Sequence, residues 1–498
     1  MLISGLALGA VLGFVMQRGR FCVTGFLRDI FTQRSWRGFV ALLIVISVHA
    51  IGLAALTSAG VITPEYKELA PVAVIVGGVI FGLGIVLAGG CASGTWYRSG
   101  EGLIGSWIAL VFYALSAAAM KTGFLGDLQD SLKDRTVGLT SIHASLGISI
   151  WPLVIALSAL TAYLAVRYLR EEFSGPRPVT LAPRKSGLAH ILAEKPWHVY
   201  ATAAIVGVLG VIAWPLSAAT GRNDGLGITT PSSNLANYVV TGDTERFDWG
   251  VLLVLGILVG SFIAAKASGE FRLRVPDATQ GARSVVGGIF MGVGAAWAGG
   301  CTVGNGMVQT SLFSYQGWLA LASIAAGVAI AAKLWLKPSA PSLNDVPSTP
   351  STTNDTAVSE TAPVTSAATS PVSLPGSDSA GADAGAAGTE ASPLAGSFAV
   401  APVALLDRSV VKQEDGKLKP LGDGRYELDT VGAVCPFPLI EAKDAINKIE
   451  VGEELVIPFD CTQATDAIPR WAAKDGHEVT NFEQTGEAGW TISVRRGR

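Results

Sequence analysis

Hydrophobic residues dominate the first two thirds of the chain, where they form long runs separated by short polar segments. These runs occupy residues 2–16, 38–60, 71–90, 102–120, 148–166, 198–216, 249–265, 285–300 and 316–336. Because about 20 apolar residues in a helix cross a bilayer, the pattern predicts an all-α polytopic membrane domain with about nine spans over residues 1–337. The first run follows no basic segment and precedes no small-residue cleavage site, so we expect a retained helix and not a signal peptide.

The composition changes abruptly after Lys337. Residues 338–397 consist almost entirely of Pro, Ser, Thr, Ala, Gly, Asp and Glu, and they contain no Lys, Arg or aromatic residue. Such a segment cannot bury enough apolar surface to fold. We therefore predict a disordered linker over residues 338–421.

Residues 422–498 contain short alternating and amphipathic segments in place of long apolar runs. Along the chain, RYELDTVG is typical of a strand, LIEAKDAINKIE of a helix, ELVIPFD of a strand, RWAAKDG of a helix, and HEVTNFEQ and GWTISVRR of strands. This order predicts a small soluble α/β sandwich with the element order βαβαββ.

Composition and the placement of charged residues predict the environment of the protein and its orientation in the membrane. Half of the residues are hydrophobic and 15% are charged, which indicates a lipid bilayer around most of the chain and no nucleic-acid partner. Basic residues, among them Arg20, Arg98 and Lys195, concentrate on alternate segments between the predicted spans. Because basic loops remain in the cytoplasm, we expect an inner (cytoplasmic) membrane protein with its N-terminus outside and residues 422–498 in the cytoplasm.

One segment of the membrane domain occurs twice. VGGVIFGLGIVLAGGCASG at 76–94 and VGGIFMGVGAAWAGGCTVG at 286–304 share ten of 19 positions, which indicates an internal duplication. A weaker similarity links residues 5–21 with residues 250–271. In the predicted topology the third and eighth spans run in opposite directions, so we expect an inverted repeat.

Paired glycines follow the repeated helices at Gly89, Gly90, Gly299 and Gly300. Inverted-repeat transporters bind their substrates near the midplane, where such helices break. We therefore expect broken helices that line a substrate pathway at these glycines. The alternative is that the glycines only allow close packing between helices.

The chain has five cysteines, and Cys91 and Cys301 occupy the same position in the two repeats. The five do not have the spacing of metal ligands and histidine is scarce, so we expect neither a metal nor a cofactor. A buried thiol stays neutral and donates a weak hydrogen bond, which suits transient contact with a passing anion. For any single cysteine, the alternative is a small buried apolar residue.

The three cysteine segments of the membrane domain resemble one known family. QRGRFC, which ends at Cys22, and the AGGC segments, which end at Cys91 and Cys301, are similar to the YeeE/YedE family of membrane proteins. The resemblance implies that the three cysteines form a pathway for thiosulfate, although other members handle other sulfur or selenium species. Arg20 would concentrate the anion at the pathway's mouth, or would serve only as a determinant of topology.

In the C-terminal domain, VGAVCPFPLIEA at 431–442 places Cys435 directly before a predicted helix. Pro436 and Pro438 fit the first turn, where a missing N–H costs nothing. The positive end of a helix stabilises a thiolate or a persulfide, as a sulfur acceptor requires. The alternative is a structural cysteine beside a turn.

The pattern G-x-x-C-P-x-P, followed by FDCTQATDAIPRWAAKDGHEV, resembles the TusA/SirA family of small sulfur carriers. The resemblance implies that Cys435 accepts sulfane sulfur as a persulfide and that cytoplasmic sulfurtransferases are its partners. Cys461 lies outside that motif. It is a second sulfur site, a resolving thiol or a buried filler, and filler is the preferred interpretation.

Together these patterns predict a transporter that takes up thiosulfate, or a related sulfur anion, through Cys301, Cys91 and Cys22 and delivers it to a fused sulfur-accepting domain. One alternative is a transporter of another sulfur or selenium species. Another is a membrane-anchored sulfurtransferase that does not conduct. The chain has no nucleotide-binding motif, so we do not expect ATP hydrolysis.

Overall fold

A computed structural model describes residues 2–336 and 418–497. The predicted linker, apart from its last four residues, lies outside these described ranges. The first range is helical, with helices α1 (Leu2–Arg18), α2 (Val23–Thr32), α3 (Arg37–Ser58), α4 (Pro71–Leu87), α5 (Ala92–Gly100), α6 (Ile104–Lys121), α7 (Gly126–Lys133), α8 (Ile142–Ser145), α9 (Trp151–Ser174), α10 (Gly187–Ala193), α11 (Val199–Ala218), α12 (Thr229–Thr241), α13 (Trp249–Ser268), α14 (Ala278–Ala298) and α15 (Tyr315–Trp335). A 3₁₀ turn (Thr244–Arg246) precedes α13, and a π-helical segment (Gly304–Gln309) follows α14.

By length and composition, eight helical stretches in the described residues are able to cross a membrane. They are Leu2–Thr32, Arg37–Ser58, Pro71–Gly100, Ile104–Lys121, Trp151–Ser174, Val199–Ala218, Trp249–Ser268 and Tyr315–Trp335. The remaining predicted span, 285–300, falls on α14, which is helical but is not among the eight. Its first turns, ATQGARS, are polar, so its apolar part is shorter than the roughly 20 residues a span needs.

The two copies of the repeated segment pack directly against each other as α4 and α14. Gly77 corresponds to Gly287 and Gly84 to Gly294, each pair 210 positions apart. A Cβ atom at Gly77 would lie 2.7 Å from the carbonyl oxygen of Gly294, and one at Gly287 would lie 2.9 Å from that of Gly84. Such reciprocal contacts define a two-fold relation. Because the residue numbers run in opposite directions, the helices are antiparallel, which confirms the inverted repeat.

The weaker similarity between the N-terminus and residues 250–271 has a different geometry. Helices α1 and α13 also lie side by side, with Gly5, Gly9 and Gly13 facing Trp249, Leu253 and Ile257 in that order. Residue numbers increase together along this contact, so the two helices are parallel. The inverted repeat therefore does not relate these two helices to each other.

Three helices break where the sequence places cysteines. Cys22 lies between α1 and α2, Cys91 between α4 and α5, and Cys301 just after α14. Gly89 and Gly299 adopt φ angles of 72° and 77°, in the left-handed region that L side chains avoid. Glycine at these two positions lets the chain leave each helix abruptly, which confirms the predicted breaks.

The second described range forms a five-stranded mixed sheet with two helices. Its elements are β1 (Leu418–Gly422), β2 (Arg425–Leu428), α16 (Phe437–Ile446), β3 (Glu454–Phe459), α17 (Ala464–Asp475), β4 (Glu478–Gly486) and β5 (Gly489–Arg495), and the strand order is β1-β2-β3-β5-β4. Only β2 and β3 pair in parallel, on either side of the α16 crossover. The predicted βαβαββ order is present, and β1 is an additional strand paired with β2.

The reciprocal glycine contact leads to a stability prediction. We expect Gly287→Ala to destabilise the folded protein, because the new Cβ would lie 2.5 Å from the backbone nitrogen of Ala88 and overpacking costs about 1–3 kcal/mol. The matched control is Gly281→Ala on the same helix, where a Cβ meets no atom within 4 Å. Thermal unfolding of the detergent-solubilised protein measures both variants. Equal midpoints for the two variants would contradict the close contact.

Candidate functional site

The three cysteines of the helical part are buried, and two of their thiols converge. A Cβ built on Gly94 would lie 3.4 Å from Sγ of Cys91 and 3.9 Å from Sγ of Cys22. The same two thiols are close enough to interact directly. Gly94 therefore lies directly beside both sulfur atoms.

Cys22 and Cys91 each stand immediately before a short helix. They are the capping residues of α2 and α5, and both have extended backbones. The first N–H groups of a helix lack intrahelical partners and carry partial positive charge. Each thiol therefore lies beside donors that favour a negatively charged group.

Cys301 follows the break after α14, and amide side chains satisfy the backbone there. The amide nitrogen of Asn305 donates to the carbonyl oxygens of Ala298 and Gly300 at 2.8 and 3.0 Å, and Gln316 donates to the side-chain oxygen of Asn305 at 3.1 Å. Thr302, the neighbour of Cys301, faces the thiol of Cys91. The structure therefore brings Cys22 and Cys91 together, and it places Cys301 next in the chain to Thr302, whose buried hydroxyl lies near Cys91 and has no hydrogen-bond partner among the described residues.

Arg98 is the residue that sequence reasoning placed wrongly. It was counted as a loop charge, but it lies within α5 and is only 5% exposed. Its guanidinium donates to the carbonyl of Gly89 at the helix break, and its Nη2 lies 3.8 Å from Sγ of Cys22. A charge within the helical stretch Pro71–Gly100, which is apolar enough to cross a membrane, was the available signal, because such charges face the protein interior.

Arg20 belongs to a buried network of charged and amide groups. Its Nη2 lies 3.1 Å from one carboxylate oxygen of Glu270, while Arg18 and Gln17 reach the other at 3.2 and 2.6 Å. Gln17 also donates to Glu101 at 3.3 Å. Arg20 is therefore held in an ion pair and shares the one carboxylate of Glu270 with Arg18, so it is not the free side chain that its predicted role assumes.

The small α/β domain contacts the helical part at this network. Arg20 donates to the hydroxyl of Thr465, Arg470 forms an ion pair with Glu172 at 2.9 Å, and Gln463 donates to the hydroxyl of Tyr97 at 3.4 Å. Three of these six residues are charged, and the three from the α/β domain lie on α17 or directly before it. The interface is therefore polar.

A small cavity of about 50 Å³ lies between the helical part and the α/β domain. Its chemically active lining residues are Arg98, Glu101, Arg274, Cys435, Asp460 and Cys461. Arg274 and Asp460 approach each other to 3.8 Å across the cavity. Arg98 thus connects the two sites, because it lines this cavity and also contacts Cys22.

Cys435 lies where the sequence predicts, at the start of a helix. Pro436 directly precedes α16 and Pro438 is the second residue of that helix; the Cys435–Pro436 peptide bond is cis. Cys435 forms a disulfide with Cys461, and their Cα atoms are 6.3 Å apart. Cys461 is buried, but the preferred interpretation of it as an inert filler is wrong because its sulfur is bonded to Cys435.

The fold and the site define a class: an inverted-repeat membrane transport protein with broken, cysteine-bearing helices and a fused domain of the sulfur-carrier type. The family described as Sulphur transport matches residues 18–330, and the family described as Sulfurtransferase TusA matches residues 426–496. The chain belongs to the Sulphur transport family and carries a TusA domain at its C-terminal end.

Similar proteins cover both parts of the chain. The thiosulfate transporter TsuA of Escherichia coli (strain K12) is 50% identical over 328 residues, which are 66% of this chain and 93% of TsuA. TsuA of Spirochaeta thermophila is 32% identical over 335 residues, 64% of this chain and 94% of that protein. TsuB of E. coli, a candidate sulfur carrier, is 59% identical over 70 residues, 14% of this chain and 93% of TsuB.

The Arg470–Glu172 pair leads to a prediction about the domain contact. We expect Glu172→Gln to weaken binding of the α/β domain about tenfold, because hydrogen bonds to charged groups contribute about 1.5–3 kcal/mol and both side chains are partly exposed. With a protease site inserted in residues 338–417 and cleaved, co-elution with the tagged helical part measures retention. The control is Glu171→Gln, because Glu171 pairs with Arg167 on the same helix. Undiminished retention in Glu172→Gln would contradict the contact.

Glu101 leads to a prediction about pH. Burial, reinforced by the nearby Glu270 carboxylate, raises the pKa of Glu101 from 4.5 to about 7. The folded protein therefore keeps this proton to higher pH than the unfolded chain does. Protonation of Glu101 thus contributes up to about 3 kcal/mol to the free energy of unfolding. This contribution is complete below pH 4.5 and is lost as the pH rises through about 7. Glutamine does not ionise, so Glu101→Gln should gain thermal stability relative to the native protein between pH 5 and pH 8.

The control for this pH series is Glu65→Gln, because Glu65 is exposed. Its unfolding midpoint should follow that of the native protein at every pH. A stability difference between Glu101→Gln and the native protein that does not change from pH 5 to pH 8 would show that Glu101 does not titrate in this range.

Proposed function

We propose that this protein takes up thiosulfate through a pathway lined by Cys301, Cys91 and Cys22 and transfers its sulfane sulfur to Cys435. The observation that carries the proposal is the continuity of sulfur-bearing side chains. Cys91 and Cys22 lie together beside Gly94, Thr302 next to Cys301 lies near the thiol of Cys91, and Arg98 extends from Cys22 to the cavity that Cys435 lines.

The side chains along this route suit a sulfur anion in transit. Thiols donate weak hydrogen bonds and are polarisable, so they contact a soft terminal sulfur without holding it tightly. Helix N-termini beside Cys22 and Cys91 favour the negative charge. Weak successive contacts satisfy the requirement that an ion enters and also leaves.

The direction of transport follows from the expected orientation. Basic residues concentrate on the segments predicted to be cytoplasmic, so the protein lies in the inner membrane with its N-terminus outside and the TusA domain in the cytoplasm. Thiosulfate then enters from outside at Cys301 and leaves at the cavity beside Arg98. The linker over residues 338–421 keeps the TusA domain at high local concentration near this exit.

The chemistry at Cys435 begins once its disulfide is reduced. The thiolate attacks the sulfane sulfur of thiosulfate, a new S–S bond forms, and the S–S bond of thiosulfate breaks with its electron pair leaving on sulfite. Cys435 then holds a persulfide beside the N-terminus of α16, where the N–H groups stabilise negative charge. Cytoplasmic sulfurtransferases are the partners expected to accept sulfur from it.

The printed names of the relatives support the same substrate. Both TsuA proteins are thiosulfate transporters, and they match the helical part over more than nine tenths of their own length. Transport of another sulfur or selenium species remains the alternative for this pathway. An anchored sulfurtransferase that does not conduct is the alternative from another class.

Uptake of sulfur-35 thiosulfate tests the pathway in cells that lack their own sulfate and thiosulfate importers. We expect Cys91→Ala and Cys301→Ala each to abolish most uptake, because each removes a thiol from the conduction route. Unlabelled sulfate or selenium oxyanions in excess should not compete if thiosulfate is the substrate. Competition by one of them would reassign the substrate.

The matched comparisons are Cys435→Ser and a truncation after Lys337, which leave the helical part intact. Partial uptake in both variants indicates that the TusA domain receives sulfur and does not form the pathway. If Cys435→Ser abolishes sulfur transfer while Cys91→Ala changes little, the anchored sulfurtransferase is correct and the transport proposal fails.

A further inference from the structure

We propose that Cys461 is a resolving thiol: it attacks the persulfide on Cys435 and releases the carried sulfur as sulfide. This step rests on the proposed function, because that function supplies the persulfide. The sulfur-carrier motif contains one cysteine, Cys435, and therefore gives Cys461 no part in the reaction.

The first argument is the position of the two sulfur atoms. Cys461 follows β3 and Cys435 precedes α16, and the fold brings their Cα atoms to 6.3 Å, within the range that a disulfide spans. The bond between them establishes that Sγ of Cys461 reaches Sγ of Cys435. That is the atom which a resolving thiol attacks.

The second argument is the shared environment of the pair. Cys435 and Cys461 are 8% and 7% exposed, and both line the cavity that faces Arg98 and Arg274. Burial slows attack on the persulfide by dissolved thiols, whereas a thiol fixed beside it acts at a high effective concentration. The internal reaction is therefore favoured over external acceptors.

The chemical balance requires no additional oxidant. The thiol of Cys461 attacks Sγ of Cys435, the Cys435–Cys461 bond forms, and the persulfide bond breaks with its electron pair on the outer sulfur. That sulfur leaves as hydrosulfide and takes the proton given up by Cys461. Over both steps, two thiols and one thiosulfate give one disulfide, one hydrosulfide and one hydrogen sulfite.

A Cys435–Cys461 disulfide is then the product of one turnover. Thiol–disulfide exchange with a cellular dithiol, or with two equivalents of a low-molecular-weight thiol, restores the two cysteines. The reducing equivalents thus enter after the sulfur has left.

A single-turnover experiment on the full-length protein in detergent tests the step. The protein is reduced, freed of reductant and mixed with excess thiosulfate, and released sulfite and sulfide are measured separately. We expect the native protein to release both in equal amounts and to form the Cys435–Cys461 disulfide, seen in non-reduced peptides. Cys461→Ser should release sulfite but no sulfide and should retain a persulfide on Cys435, detected by mass after alkylation.

Cys435→Ser should release neither product, and Cys461→Ala should match Cys461→Ser, so that a folding defect of one substitution is recognised. Sulfide release from Cys461→Ser equal to that of the native protein would overturn the resolving role and leave the proposed function intact. Release of sulfite but not sulfide by the native protein would also overturn the resolving role and leave the proposed function intact. Absence of sulfite from the native protein would overturn the proposed sulfur transfer, and the resolving step with it.

Discussion

The need to satisfy backbone polar groups at helix breaks is the constraint on which the rest of this structure depends. Within a membrane, a non-helical backbone is stable only where other protein groups replace the missing hydrogen bonds. Arg98 supplies that partner for the carbonyl of Gly89, and Asn305 and Gln316 supply it after α14. These side chains hold the chain at the points where Cys91 and Cys301 leave their helices. The hydrogen bonds at each break therefore determine the position of its thiol.

The breaks in turn need a scaffold that does not shift, and close glycine contacts provide it. Between α4 and α14 the backbones approach so closely that side chains larger than hydrogen do not fit at Gly77 or Gly287. In a bilayer, such close packing is a main source of helix association, since lipid removes the hydrophobic driving force. The same two helices carry the two AGGC segments, so the inverted repeat fixes Cys91 and Cys301 relative to each other.

The features that could be predicted from sequence depend on local patterns. The long apolar runs and the repeated AGGC segments predicted the spans and the breaks, and alternation predicted most of the α/β domain. The features that were missed depend on contacts between distant residues. Arg98 contacts the thiol of Cys22, 76 positions earlier, the Glu270 network joins residues from three segments, and the Cys435–Cys461 bond joins two elements that the sheet brings together. The parallel packing of α1 and α13 could not be predicted either, because similarity between two segments does not show whether their helices run in the same direction.

Under the proposed function, the charges around the cavity beside Cys435 explain why transport and chemistry are joined in one chain. Arg98 and Arg274 line the cavity together with Glu101 and Asp460, and Asp460 lies 3.8 Å from Arg274, so part of the positive charge that could trap a dianion there is offset. A pathway of weak contacts conducts in both directions and by itself only equalises concentrations. Under the proposed function, Cys435 converts thiosulfate to sulfite and a bound sulfur atom at the exit, which keeps the local thiosulfate concentration low. Net inward flux then follows from consumption at Cys435, and the affinity of the pathway can remain low throughout.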